Sequence, residues 1–440
     1  MLDHKGIPMK FLRIIILLFA GAGLLFIYCC KQKPSETVQP ETIKIGAIYP
    51  LTGNSASAGK DIKAALDLAV EVINQSFEIP IPLAKGKGLP AHGNARIEIV
   101  YKDSQGDEIR AGQLVEEMVH KDKVVALIGC YNSAVTAAAS EQAEILKVPF
   151  LNPDSTSPVL TQRGLKWFFR TTPDDGMFAQ NFFTFFTELK QKMNINVPGR
   201  LILVYENRLW GTCVSRVERK LAVKYDYQIA GDIPYDSKAV SVEAELKQIQ
   251  EALPGVILQS SYDDDAVLFM KGYKEKQINP TAIVAMDAGF ISPSFLEKLG
   301  RDGEYILSRE VWALDIGRKK PLVTMVNDLF KKQYGRNMNG NSARAFTGLM
   351  VLANAINRAR SLEPDNIRKA ILETKLTGDE LIMPWDGVAF DPATGQNILG
   401  KGIIVQVQNG QYRTVWPWEL SESKIIWPIP AWSERPLGNP

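Results

Sequence analysis

Histidine and cysteine are scarce in this 440-residue chain, three of the first and four of the second. His4, His92 and His120 are too few and too scattered to suggest a metal site. There is no GxSxG turn to raise a nucleophilic serine. A Ser–His–acid site would have to use His4 in the leader, His92 in a Gly/Pro-rich excursion (77–94), or His120 on a charged helix end. With no nucleophile–base pairing in view, neither an enzyme nor a cofactor is expected. The loop GNSASAGKD (53–61) fails as a phosphate cradle. Five residues separate Gly53 from Gly59, and Asp61 stands where Ser or Thr must hold magnesium. An excess of one charge is also missing: the formal net charge is +2, which leaves no basic surplus to track nucleic acid.

Long apolar runs are absent too. The longest, IIILLFAGAGLLFIY (14–28), has 15 residues, short of the roughly 20 that span a bilayer. It follows Lys5, Lys10 and Arg13 and precedes Cys29, Cys30 and the polar stretch KQKPSETVQPE, so it reads as an export signal. That layout resembles a bacterial lipoprotein signal, with Cys30 as the lipidated first residue of the mature chain. Cys30 is preferred to Cys29, which would put Tyr28 at the cleavage position. An uncleaved signal anchor is the alternative. Residues 1–30 are thus assigned to a leader and 31–41 to a linker. Cys130 and Cys213 are too few for a disulfide framework and are expected as buried thiols.

What is present is alternation. Apolar runs at 43–51, 95–103, 124–130 and 148–152 alternate with helical patterns at 61–74, 111–121 and 133–147. A second series has runs at 200–206, 255–262 and 282–287, with helical patterns at 212–224 and 265–276. This grammar predicts α/β architecture, with two doubly wound parallel-sheet lobes. One lobe takes 42–171 plus 308–384, the other 172–307 plus 385–440. The chain is expected to cross between them at 168–173, 305–312 and 383–390, forming a three-strand hinge. The tail carries an Asn409-Gly410 hairpin signal.

In open α/β sheets, ligands bind beyond the carboxyl ends of the strands. Those ends read TGNSASAG, CYNSAVT, NPDSTSP, YENRLWG, SSYDDD and MDAG, rich in small residues, hydroxyls, aromatics and carboxylates. Ser133 opens an Ala-rich helix, where free N–H groups attract an anion; simple capping is the plainer role.

The ordered segments IGAIYPLTGNSASAGKDIKAALDLAVEVIN, LIGCYNSAVTAAASEQAE, VPFLNPDSTSPVLT and WFFRTTPDD resemble the branched-chain amino-acid binding proteins. These are type I periplasmic binding proteins serving ABC importers. The resemblance implies a periplasmic or cell-surface protein that captures a small zwitterion, an amino acid, and hands it to a membrane permease. It implies that Ser133 and Thr156 hold the α-carboxylate. The Asp154 carbonyl, the Thr156 hydroxyl and the Asp287 carboxylate would receive the ammonium, with Ser155 in the same loop and Trp210 and Tyr262 closing from the second lobe. Ala58 stands where an aromatic is common, which implies a more open wall, and Asp287 is one methylene shorter than the usual glutamate. Asp154 is expected to turn away and cap its own loop. If it instead faces the cleft, a second carboxylate favours a cationic or diamino ligand. A sensor module feeding a receptor, or a binder of urea, amides, polyamines or aromatic acids, uses the same fold.

Plainer roles are expected for other residues. Trp167, Phe168 and Phe169 read as core, Trp416, Trp418, Trp427 and Trp432 as a tail packed on the second lobe, and Asp263–Asp265 as a helix cap.

Overall fold

The computed structural model describes residues 42–435; the leader, the linker and Cys30 lie outside them. The first series runs β1 (Thr42–Tyr49), α1 (Ala56–Asn74), β2 (Arg96–Asp103), α2 (Glu108–Glu117), β3 (Ala126–Gly129), α3 (Ser133–Leu146), β4 (Phe150–Asn152) and β5 (Phe168–Arg170). Its five strands form one parallel sheet in the order β2-β1-β3-β4-β5. All of β3 and β4 is buried, as befits strands covered by helices on both faces.

The second series runs α4 (Asp175–Met193), β6 (Arg200–Glu206), α5 (Leu209–Lys224), β7 (Gln228–Tyr235), α6 (Glu243–Ala252), β8 (Val256–Ser260), α7 (Asp263–Glu275), β9 (Ala282–Ala285), α8 (Pro293–Leu299) and β10 (Leu307–Glu310). The chain then forms α9 (Pro321–Tyr334), α10 (Gly340–Ala359), α11 (Pro364–Leu372), the short pair β11 (Lys375–Thr377) and β12 (Gly387–Ala389), and the hairpin β13 (Ile403–Gln408) and β14 (Gln411–Trp416). The second sheet has seven strands, β14-β13-β10-β9-β8-β6-β7, with the hairpin antiparallel at one edge. The α/β class with two parallel-sheet lobes is therefore as expected. β7 escaped notice because this edge strand is largely part-exposed and carries no apolar run.

α10 packs along α1 and contacts β4, which returns it to the first sheet. Fourteen consecutive residues, Gly340 to Ala353, are buried, so its start is wedged into the protein. Asn339 caps it by accepting from the Ser342 N–H at 3.1 Å, a standard start signal. Among the passages between sheets, the third comes later than 383–390. Gln396 still bridges to Arg170 of β5, and Asn397 donates to the Thr171 carbonyl at 3.0 Å.

Cys130 and Cys213 are free and buried. The tail tryptophans hold to the second lobe. Trp416 and Trp418 both donate to Glu188 of α4, at 2.8 and 2.6 Å, and Trp432 donates to the Ile278 carbonyl at 2.8 Å. Among the described residues no helix is long and apolar enough to cross a membrane.

Candidate functional site

The carboxyl ends of the parallel strands in both sheets face one cleft. Ser133, Asp154, Ser155 and Thr156 border it from the first lobe and Trp210, Tyr262 and Asp287 from the second, joined by Tyr131, Ala288 and Arg344. Only about 10 Å³ is left between them, roughly the room of one water. The two walls of the cleft meet on their own side chains.

The NPDSTSP loop is held rigidly. Arg170, fully buried, donates to the Ser155 and Ser157 carbonyls at 3.3 and 2.7 Å, and Asn152 ties the loop to the Gly129 and Cys130 carbonyls at 2.7 and 2.9 Å. The Ser155 hydroxyl is spent inside the protein, 2.5 Å from Thr136 Oγ1 and 2.8 Å from the Cys130 carbonyl. Ser155 therefore joins two loops, while Ser133 accepts from the Ser157 N–H at 3.4 Å. Asp154 does not cap its own loop. Its Oδ2 accepts from Tyr49 at 2.9 Å, and its buried Oδ1 has no hydrogen-bond partner. A fully buried phenol 105 positions away outcompetes the local turn because both groups are already desolvated. Burial raises the Asp154 pKa to about 7, against the lowering effect of Arg344 and Tyr49.

Asp287 sits after β9 in a conformation with φ 51°, uncommon for a residue other than glycine and a mark of functional loops. Gly289 makes this possible: a Cβ there would lie 2.1 Å from the Tyr262 carbonyl oxygen, so only glycine lets the two backbones touch. Asp287 Oδ1 accepts from the Ala288 N–H. Its Oδ2 lies 2.7 Å from Arg309 Nη1 and 2.8 Å from Arg344 Nη1. Arg309 also donates to Thr156 Oγ1 at 3.2 Å, pairs with Asp175 at 3.4 Å and stacks 3.8 Å from the Phe178 centroid. Both arginines are 1% exposed. Burial works against the Arg344 charge, but Asp287, Asp154 and Glu310 outweigh it and hold its pKa above the ordinary value. For Arg309 burial prevails over Asp287 and Asp175, and the pKa falls.

Aromatic rings form the remaining wall. Tyr262 stands 4.9 Å from Trp210 and, across the cleft, 5.9 Å from Tyr131. Polar bonds also join the lobes: Asn54 Oδ1 accepts from the Asp264 N–H at 3.0 Å, and Asp263 accepts from the Ala58 N–H at 3.3 Å. Asp265 caps the α7 start through the Tyr262 N–H at 3.2 Å, as expected. Asp263 does more than cap, since it fastens one lobe to the other. The Ala58 backbone N–H supplies the partner for that contact.

A family model described as periplasmic binding protein matches residues 42–411. The chain belongs to the periplasmic binding protein family. Leu/Ile/Val-binding protein homolog 7 of Brucella abortus is 26% identical, over 88% of this chain and 94% of that protein. The fold is shared with a leucine binding protein from Thermotoga maritima (TM-score 0.71, 21% identity, 84% of this chain and 97% of that one). It is shared also with an ABC-transporter solute binding protein from Rhodopseudomonas palustris in complex with 3,4-dihydroxybenzoic acid (TM-score 0.70, 16% identity, 84% and 95%). As a member of that family, the chain is an extracytoplasmic solute-binding protein.

All seven residues expected at the site of this periplasmic binding protein border the cleft. Tyr131, Arg309 and Arg344 were missed. Tyr131 lies within the quoted CYNSAVT loop, one of the strand-end loops already singled out. Arg344, inside NSARAF, looks like any surface arginine on a helix, and no local signal marks it.

Proposed function

We propose that this protein captures a small carboxylate-bearing solute between its lobes and delivers it to the membrane permease of an ABC importer. The observation that carries this reading is the convergence of hydroxyls, rings and paired charges from both lobes on one closed cleft. A solute touching both walls would stabilise closure by its differential affinity for the closed form. The relatives support a carboxylate as the common feature: one fold neighbour is a leucine binding protein and another holds 3,4-dihydroxybenzoic acid. In this reading Ser133, with the start of α3, receives the carboxylate. Trp210 and Tyr262 cover the body of the solute, while Asp154, Thr156 and Asp287 set its polar end. Ser155 acts by holding the loop.

A thermal-shift screen against amino acids, aromatic acids, amides and polyamines tests this. At least one carboxylate should raise the melting midpoint, and Tyr262→Ala should abolish the rise. A hit confined to amides or polyamines would overturn the carboxylate assignment.

The leader completes the proposal: export, followed by lipid attachment at Cys30, keeps the protein at the membrane near its permease. Radioactive palmitate should label the wild type and not Cys30→Ala. Equal labelling would remove the anchor from the reading.

A further inference from the structure

The acid at the heart of the cleft is already occupied. An amino-acid ligand needs a receiver for its ammonium group, because a buried cation without a paired acceptor is costly. Asp287 is the receiver that its position suggests. Yet Arg309 and Arg344 both place a guanidinium nitrogen within 2.8 Å of the same Asp287 oxygen, and its other oxygen takes the Ala288 N–H. Thr156 Oγ1, the second candidate, accepts from Arg309. An arriving ammonium would meet two positive charges where it needs acceptors.

Arg344 comes from α10 on the first lobe and Asp287 from the second, so their contact joins the two lobes. Arg344 thus takes up the acid that would otherwise be open to a ligand ammonium. Its Nη2 is anchored to Asn341 Oδ1 at 2.5 Å, which fixes the guanidinium at the cleft. Besides the acceptor Asp154 Oδ1, two buried groups there lack hydrogen-bond partners: Arg344 Nε and the Tyr131 hydroxyl. Both can donate, and both border the same cavity through their residues. Such a pair suits an anionic oxygen, not a cation. The Asp154 Oδ1 atom, also unpartnered, lies 3.8 Å from Arg344 Nε, so that carboxyl is itself under the influence of the guanidinium. The three rings of Tyr131, Tyr262 and Trp210 favour a flat, apolar body.

We infer that Arg344 acts as a built-in substitute for the ligand's ammonium, and that the cleft selects small carboxylates lacking an α-amino group, above all those with an aromatic body. This inference rests on the reading of the cleft as the solute site. It makes Arg344 a specificity-determining residue that acts by charge.

Paired probes test it on the whole exported protein: 3-phenylpropanoate against L-phenylalanine, and 4-methylpentanoate against L-leucine, by calorimetry. Each amine-free acid should bind at least tenfold more tightly than its amino acid, and 3-phenylpropanoate most tightly of the four. In Arg344→Met the preference within each pair should shrink at least tenfold, because Asp287 regains an acceptor for an ammonium. If that variant does not fold, the wild-type pairs alone decide. Equal or tighter binding of either amino acid overturns the inference and leaves the cleft reading standing. Binding of the acids that survives Tyr262→Ala unchanged places them outside the cleft and overturns both. Absence of binding by all four probes overturns the inference, while the broader solute screen judges the cleft separately.

Discussion

Asp287→Asn removes the one carboxylate that joins two buried guanidiniums. Breaking a buried ion pair from one side costs about 3–5 kcal/mol, because it strands an uncompensated charge. Here the strain is shared: Arg309 keeps Asp175 at 3.4 Å and Thr156 at 3.2 Å, and Arg344 keeps Asn341 at 2.5 Å. The lower end, about 3 kcal/mol, is therefore expected. Unfolding roughly 400 residues carries an entropy of about 0.8 kcal/mol/K, so the melting midpoint should fall by about 4 °C. Calorimetry of the ligand-free protein measures this directly. The exposed pair of Lys274 and Asp302, at 2.8 Å, serves as the control. Asp302→Asn should cost at most about 1 kcal/mol, or about 1 °C. Combining Asp287→Asn with Arg344→Met removes a stranded charge together with its partner, so the double variant should lose less than the two single losses added. An Asp287→Asn midpoint within 1 °C of wild type would refute the reasoning, since it would mean that water, not Asp287, solvates these arginines.

Burial is the first cause that raises Asp154, Asp263 and Glu310 to about 7 each. A raised carboxyl binds more protons folded than unfolded, so its stabilising contribution is complete below about pH 4 and is lost as pH rises through 7. The melting midpoint should thus climb as pH is lowered from 8 to 5, each group adding up to ~1.4 kcal/mol per pH unit. Asp154→Asn should flatten that slope; a midpoint that falls over this range contradicts the assignment. Carboxylates held low by partners, such as Asp103 and Asp232, lose their contribution only at more acid pH. Asn54→Ala deletes a bond between the lobes, to the Asp264 N–H. It should weaken ligand binding about fivefold, equivalent to one hydrogen bond of about 1 kcal/mol, and enlarge the ligand-free radius of gyration by small-angle scattering. An unchanged affinity would show that Asn54 takes no part in closure. Gly289→Ala should cost about 1–3 kcal/mol and at least tenfold in ligand affinity, as the Asp287 loop is pushed from Tyr262. Full affinity in that variant would show that the loop position does not matter.

The two-lobed α/β fold was legible because it rests on short-range rules. Apolar runs such as those of β8 and β9 are fully buried strands, and their alternation with amphipathic segments leaves few other architectures. The loops that carry the seven cleft residues were legible for a related reason: each follows a strand, and the carboxyl ends of parallel strands gather at one edge; the residues within those loops came from the family resemblance.

Sequence by itself thus determined the sheets and the edge at which the strand-end loops gather. Tertiary structure decided which partners the cleft residues meet. Asp154 finds Tyr49 across 105 positions, and Asp287 finds Arg344 across 57. Local turn and capping preferences contribute about 1 kcal/mol or less, whereas an unpaired charge in a closed cleft costs several times that. Which cation meets which acid is settled through space, by how α10 packs beneath the first sheet, and neighbours along the chain carry no trace of it.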